Sequence, residues 1–353
     1  MANQSQVRVG LLGAGGITGA HLPAYAALGE RVRVVAVADP RRDAAEARAK
    51  EAGGAEVFAS WEELIARAPI DAVDICLPHH LHAPAALTAF ERGLHVLTEK
   101  PIARTLDEAD AMITAAQKAN RRLMICHNRR WIPAVARLKE MIAGGELGRL
   151  LALRLEKNGG PAFGRTGASL GWVAKKATLG GGAVVSDLIH ELDLIGWLGG
   201  PAASVSGTMV TEPEWMEGEV MGVVSVHLEN GAIADAAINW GARGTGQLPG
   251  LPHAMVRAVG TRATAVYVLG QGLSVAVEGE PGVKQVVPGA GGSGHDGAIA
   301  HFIDCIVHER EPLTNGAAGR AALQLAMGAY QAEMEGRRIP LPLTRPYFAA
   351  VGE

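Results

Sequence analysis

Aromatic residues are scarce in this chain, 4% of 353, and cysteine is scarcer still, with only three. Cys76, Cys126 and Cys305 are too few and too scattered for a disulfide framework or a clustered metal site. Two of them fall in apolar runs that read as strands, so buried free thiols are expected. No uncharged run approaches the ~18 residues of a membrane span. The N-terminal stretch lacks the basic, apolar and small-residue order of a signal peptide, and its first apolar run, Val7–Leu12, already reads as a strand. These absences point to a reducing cytoplasm and to no membrane partner. Neither sign of charge dominates: 33 Lys and Arg stand against 36 Asp and Glu, for a net charge of −3. A polyanion footprint is therefore missing, and nucleic acid is not an expected partner.

What is present is ordinary globular material, 48% hydrophobic and 20% charged, with 46 glycines. The length suggests two domains. Over residues 7–126, short β-branched runs (Val7–Leu12, Val32–Ala38, Ala72–Leu77, His95–Thr98, Leu123–Cys126) alternate with alanine-rich helical ones (Gly19–Leu28, Arg42–Glu51, Trp61–Ala66, Ala83–Glu91, Leu106–Ala119). That alternation is the pattern of a parallel sheet covered on both faces. Beyond residue 127 it changes. A helix at Ala134–Ala143, a strand at Leu150–Glu156, a glycine-rich stretch over Asn158–Gly182 and a helix at Val184–Leu198 lead into a series of strands. These are Ala203–Val210, Val220–Leu228, Ala232–Trp240, His253–Val259, Ala263–Val268, Leu273–Glu278 and Lys284–Val287, with Gly- and Pro-rich loops at Gly241–Pro252 and Pro288–Gly297. Helices at Ala298–Glu309 and Ala317–Glu335 follow. The expected fold class is α/β: a doubly wound N-terminal domain over 1–126, then an α/β domain over 127–353 with a large, mostly antiparallel open sheet.

Gly13-Ala14-Gly15-Gly16-Ile17-Thr18-Gly19 sits between the first strand and the first helix, where a dinucleotide fingerprint belongs in a Rossmann domain. Gly13 permits the tight turn, and Gly15 lets the backbone approach a pyrophosphate whose charge the helix N-terminus stabilises. The third glycine position holds Thr18, with Gly19 one step later. Asp39 closes the second strand, where an acid accepts hydrogen bonds from an adenosine ribose and repels a 2′-phosphate. NAD is the expected cofactor. Arg41 and Arg42 beside it can pair with such a phosphate and keep NADP open.

Leu97-Thr98-Glu99-Lys100-Pro101 ends the fourth strand at its carboxyl edge, where doubly wound sheets bind ligands. A lysine there can face the nicotinamide and hold or protonate an oxygen undergoing redox change. The plainer alternative is a surface lysine. Pro78-His79-His80-Leu81-His82 ends the third strand. Three histidines raise a metal site, but a cofactor-contacting loop with incidental histidines and no metal is expected. In Gly180-Gly181-Gly182-Ala183-Val184-Val185-Ser186-Asp187-Leu188-Ile189-His190-Glu191-Leu192-Asp193, a helix puts His190 on one face with Ser186, Asp187 and Asp193. An acid there can orient the imidazole, which would take a substrate hydroxyl proton as hydride leaves. The glycines ahead of it are expected to admit a ligand closely.

Taken together these residues resemble the Gfo/Idh/MocA family of glucose–fructose oxidoreductase and inositol dehydrogenase. The resemblance runs from the glycine fingerprint through Pro78–His82, Glu99-Lys100-Pro101 and Asn128-Arg129-Arg130-Trp131-Ile132-Pro133. It continues in Gly144-Gly145-Glu146-Leu147-Gly148, the Gly181…His190…Asp193 segment and Gly336-Arg337…Leu341-Pro342-Leu343. It implies a hydride transfer between nicotinamide and a hydroxyl or keto carbon of a sugar, cyclitol or related polyol, with Lys100 and His190 as the acid/base groups. It also implies a cis Lys100-Pro101 bond and a homodimer or homotetramer built on the C-terminal sheet. Cofactor contacts then fall to Gly13, Gly15, Gly16, Ile17, Thr18, Asp39, Arg41, Pro78, His79, His82, Glu99, Lys100 and Asn128. Substrate contacts fall to Lys100, Arg130, Trp172, Lys175, Asp187 and His190. The chain departs from the family where an aspartate usually stands four residues before the histidine: Ser186 is there, with Asp187 one step later. His79 stands where the family often has asparagine. Lys176 and Arg165 are further candidates to recognise a carboxylate or phosphate. Two other activities would use the same residues: an NAD-dependent glycosidase working by transient sugar oxidation, and a non-enzymatic dinucleotide-sensing regulator.

Overall fold

Apolar β-branched residues without alternation need cover on both faces, and the first sheet has it. A computed structural model describes residues 6–159, 167–241, 254–289 and 292–344. Its first unit carries β1 (Val7–Leu12), α1 (Thr18–Ala27), β2 (Val32–Ala38), α2 (Arg42–Glu51), β3 (Glu56–Phe58), α3 (Trp61–Arg67), β4 (Ala72–Ile75), α4 (His82–Glu91), β5 (His95–Thr98), α5 (Leu106–Ala119) and β6 (Leu123–Ile125). All neighbouring pairs are parallel, in the order β3-β2-β1-β4-β5-β6. The order reverses between β1 and β4, so the loops after those strands open a crevice at the carboxyl edge. The sequence reading is upheld element by element, except that β3 was not foreseen. It is a three-residue edge strand.

The second unit carries α6 (Pro133–Ala143), β7 (Leu150–Asn158), α7 (Lys176–Leu179), a π-helical turn at Val184–Leu188, α8 (Ile189–Gly199), β8 (Ala202–Thr211), β9 (Glu219–Leu228), β10 (Ile233–Asn239), β11 (Ala254–Gly260), β12 (Ala263–Val268), β13 (Gly272–Val277) and β14 (Lys284–Pro288). After α9 (His295–Val307) and α10 (Gly316–Glu335), β15 (Ile339–Pro340) adds an edge strand. The nine strands run β14-β13-β12-β11-β7-β10-β9-β8-β15, antiparallel except for the β7–β10 pair. Alternation is clean here. Leu153, Leu155, Ala236, Val224 and Val226 point to a buried face, whereas Val210, Met221, Val223 and Ile233 on the other face are 52%, 36%, 47% and 44% exposed.

The units are not divided by one cut near residue 126. The first comprises Met1–Trp131 with Gly292–Arg320, the second Ile132–Gly291 with Ala321–Glu353. The cause is α9: its Ala298, Ile299, Phe302 and Ile303 are wholly buried in the core built by β1, β2 and α1. The loop expected at Gly241–Pro252 lies largely outside the described residues, as does Arg165. Among the described residues, no helix is long and apolar enough to cross a membrane.

Candidate active site

In the first unit, Gly13 has φ +100°, and a Cβ there would lie 2.5 Å from the Cys76 carbonyl oxygen, so only glycine fits. At Gly15 and Gly16 a Cβ would meet nothing within 4 Å. Open space thus faces the turn that leads into α1, and a pyrophosphate fits that cradle. Ile17 is half-exposed beside it. Thr18 was expected to touch the cofactor, but it is fully buried and its hydroxyl donates to the Gly13 carbonyl at 3.0 Å. This bond closes the turn and accounts for a non-glycine at that position.

Asp39 accepts the Ala14 N–H at 2.8 Å, and its other oxygen accepts the Arg41 N–H at 2.9 Å and Arg41 Nε at 3.1 Å. Burial pushes the carboxyl pKa up, but the Arg41 guanidinium and these N–H donors outweigh it and hold it below its ordinary value. Asp39 is therefore an anion at the end of β2, with the charge of Arg41 already partnered.

The carboxyl ends of β4 and β5 carry the two remaining motifs. Pro78 leads into a short 3₁₀ turn, His79–Leu81, and His79 is buried with its ring 5.5 Å from that of His82. His82, expected against the cofactor, is fully buried. Its Nδ1 lies 2.8 Å from the Pro101 carbonyl and its Nε2 2.9 Å from the Leu77 carbonyl. It ties the β4 loop to the Lys100-Pro101 turn, whose peptide bond is cis, as the resemblance implied. Asn128 donates to the Ser293 carbonyl at 2.6 Å, and Arg130 to that of Leu313 at 3.1 Å; both are buried. These two serve the chain's own backbone.

Beneath Lys100 lies a buried polar cluster that sequence reasoning missed. His21 of α1 places Nδ1 2.7 Å from Asp74 Oδ2 and Nε2 3.0 Å from Glu99 Oε1. Tyr25 donates to Asp74 at 3.1 Å, and the Lys100 N–H donates to Glu99 Oε2 at 3.3 Å. Burial raises the Glu99 carboxyl pKa, but the bond and charge of His21, with Lys100 and His295, carry it down to about 2. A visible signal existed: Asp74 is the one charged residue in the apolar strand Ala72–Ile75, and a charge buried there demands a partner. The three cysteines are free and buried, as expected.

In the second unit, the glycine run admits not a ligand but the chain itself. A Cβ on Gly181 would lie 2.4 Å from the Tyr330 hydroxyl, and one on Gly182 2.3 Å from the Glu219 carbonyl oxygen. Glu219 Oε1 accepts the Val184 N–H at 2.9 Å and the Tyr330 hydroxyl at 2.7 Å. That hydroxyl in turn accepts the Gly182 and Val185 N–H groups at 3.3 Å. The pair thus satisfies the first donors of the π turn. Ser186 and His190 are buried, and Asp187 is half-buried and accepts the Trp240 indole N–H at 3.2 Å. The carboxylate of Asp187 is thus engaged by Trp240. Lys175 and Lys176 are both exposed; Lys175 pairs with Glu217 at 2.8 Å, and the Lys176 N–H donates to the same carboxylate at 2.9 Å. Trp172 is half-buried in the preceding 3₁₀ segment.

Residues 7–127 match the oxidoreductase family with an NAD-binding Rossmann fold, and residues 135–266 match the GFO/IDH/MocA C-terminal domain. The chain belongs to the Gfo/Idh/MocA oxidoreductase family, and its first unit is the family's NAD-binding Rossmann domain. It is 34% identical over 218 residues to a levoglucosan dehydrogenase of Pseudarthrobacter phenanthrenivorans, covering 58% of this chain and 54% of that one. To an inositol 2-dehydrogenase of Corynebacterium glutamicum it is 29% identical over 240 residues, 66% of this chain and 67% of the other. The matches therefore span between half and two thirds of these curated relatives. The fold agrees with a levoglucosan dehydrogenase solved with NADH and levoglucosan, at TM-score 0.85, 24% identity, and coverage of 96% of this chain and 100% of that one.

Proposed function

We propose that this chain is an NAD(H)-dependent dehydrogenase or reductase acting on a hydroxyl or keto carbon of a sugar, cyclitol or related polyol. The observation that carries the reading is the open cradle at Gly15 and Gly16 in a turn that only glycine at 13 permits, followed by Lys100 at the carboxyl edge of β5. Gly13, Gly15, Gly16 and the N-terminus of α1 would hold the pyrophosphate, and Asp39 the adenosine ribose. The bound cofactor supplies the hydride chemistry. The ionised Asp39 opposes a 2′-phosphate, which supports NAD over NADP. Lys100 holds the reacting oxygen by donating an ammonium N–H to it, the acid and electrostatic anchor of the pair. His190 takes the hydroxyl proton during oxidation and returns it during reduction. Ser186 stands at the position of the family's acid. The names of the relatives support the polyol class.

The exposed apolar face bearing Val210, Met221, Val223 and Ile233 supports a second copy docking on the C-terminal sheet. Light scattering on the full chain tests this, and a monomer at all concentrations rejects it.

The reaction is tested by following NADH formation with NAD or NADP against inositols, aldoses, uronates and 1,5-anhydro sugars, for the wild type and Lys100→Met. Turnover on at least one polyol, reduced ~10²-fold or more in the variant with NADH affinity retained, is the expected result. A variant keeping over half its rate removes Lys100 from the mechanism. Products released from a glycoside with no added acceptor would transfer the assignment to glycoside cleavage.

A further inference from the structure

We propose that His21 is a permanently protonated imidazolium clamped between Asp74 and Glu99, and that it is a positioning residue for Lys100. Both ring nitrogens lie at hydrogen-bond distance from carboxylate oxygens, 2.7 Å to Asp74 and 3.0 Å to Glu99. An ionised carboxylate only accepts, so satisfying both contacts requires an N–H on each nitrogen, the property of the cation alone. The carboxylates have donors besides His21: the Tyr25 hydroxyl at 3.1 Å for Asp74, the Lys100 N–H at 3.3 Å for Glu99. Each further donor favours the anion, so the proton belongs on the ring.

Every other group facing the ring agrees. The Cys76 and Cys126 sulfurs lie 3.7 and 3.9 Å away, and burial pushes the Cys76 thiol up to about 12 and the Cys126 thiol higher, so neither competes as an anion. Burial pushes the His295 imidazole, its ring 5.2 Å away, down toward the neutral form. Burial alone would also lower the His21 pKa, but Asp74 foremost holds it well above its ordinary value.

Donor atoms of His21, Glu99, Cys126 and His295 lie within 4.8 Å of one another, the spacing of a metal site. An imidazolium has no lone pair to give a metal, so an ion-pair network is the alternative to a metal there.

The consequence reaches Lys100 through one residue. Glu99 is held by His21 through Oε1, while its Oε2 accepts the Lys100 N–H and its own N–H donates to Ile75 at 2.9 Å. The network thereby fixes the backbone that aims Lys100. This second part rests on the proposed role of Lys100; the charge state of His21 does not.

Protein labelled with ¹⁵N in its histidine rings separates the two parts. In wild type, one ring should keep both nitrogens protonated from about pH 6 to 9 while exposed histidines titrate. Its signal should vanish in His21→Gln; should that variant not fold, Asp74→Asn should move the same signal into the titrating range. If every ring has lost a proton by pH 9, or if the purified chain holds stoichiometric zinc whose chelation lowers its melting temperature, the clamp is overturned. For positioning, Glu99→Gln should cut kcat about tenfold or more while the KM for NAD changes less than about threefold. Unchanged kcat in this variant overturns the positioning and leaves the clamp standing.

Discussion

The sharpest test of how the second unit is built is Tyr330→Phe, which removes one oxygen atom. That oxygen donates to Glu219 at 2.7 Å and accepts two backbone N–H groups at 3.3 Å, and both Tyr330 and Glu219 are buried. A hydrogen bond to a charged group contributes ~1.5–3 kcal/mol, and the two long N–H contacts add less. The expected loss is ~2–3 kcal/mol, or roughly 5–10 °C in the transition of a unit this size. Four of the six tryptophans (Trp172, Trp197, Trp215 and Trp240) belong to the second unit and Trp61 and Trp131 to the first, so the tryptophan fluorescence of the full chain is weighted toward the second. The loss should also depend on pH. Burial raises the Glu219 pKa, partly offset by the Tyr330 bond. A carboxyl with a raised folded pKa holds its proton longer when folded, so its contribution to stability is largest below the unfolded value and falls as pH rises through the folded one. Removing Tyr330's hydroxyl raises that pKa further, so the deficit should be larger near pH 8 than near pH 5. A melting temperature unchanged within about 1 °C, or a deficit identical at both pH values, would refute a charged Glu219 holding the π turn.

Three other outcomes are expected. Gly13→Ala should abolish NADH binding, read by fluorescence titration, and lower the melting temperature, because its Cβ meets the Cys76 carbonyl at 2.5 Å; retained affinity would mean the turn can move. Asp39→Ala should raise the kcat/KM ratio of NADP over NAD by about tenfold or more, since it removes an anion and frees Arg41; a wild type that already prefers NADP rejects the role of Asp39. Ser186→Ala should lower turnover more than Asp187→Asn, because the indole of Trp240 engages Asp187. The reverse order would make Asp187 the acid that orients His190.

Much of this architecture was legible because it is local. Strand and helix periods placed the first sheet's elements within a residue or two, and the glycine fingerprint and Glu99-Lys100-Pro101 fell at strand ends, as they do in the structure. What was not legible is set by partners distant in sequence. The short β3 has only three residues and exists by pairing with β2. Helix α9 follows the second unit's strands in the chain yet belongs to the first unit, because Phe302 and its neighbours bury against α1. Val184–Leu198 reads as one regular helix, and the period carries no trace of the π turn at its start.

The two buried networks share a cause that explains why one was readable and the other was not. A polar group inside a core is tolerated only with partners, and the cost of leaving it unpaired is large enough to fix which elements must meet. Asp74 announced itself, since a carboxylate amid Ala72, Val73 and Ile75 has to find a cation or donors, and His21 faces it from α1. Glu219 gave no such warning: it opens β9 at a strand end, where an exposed glutamate is ordinary, and it is buried where Gly181, Gly182 and Gly218 let two backbone segments and the Tyr330 side chain close together. Gly181 and Gly182 read as room for a ligand. They are instead the space that Tyr330 and Glu219 occupy, and through them the turn carrying Ser186, Asp187 and the approach to His190 is held.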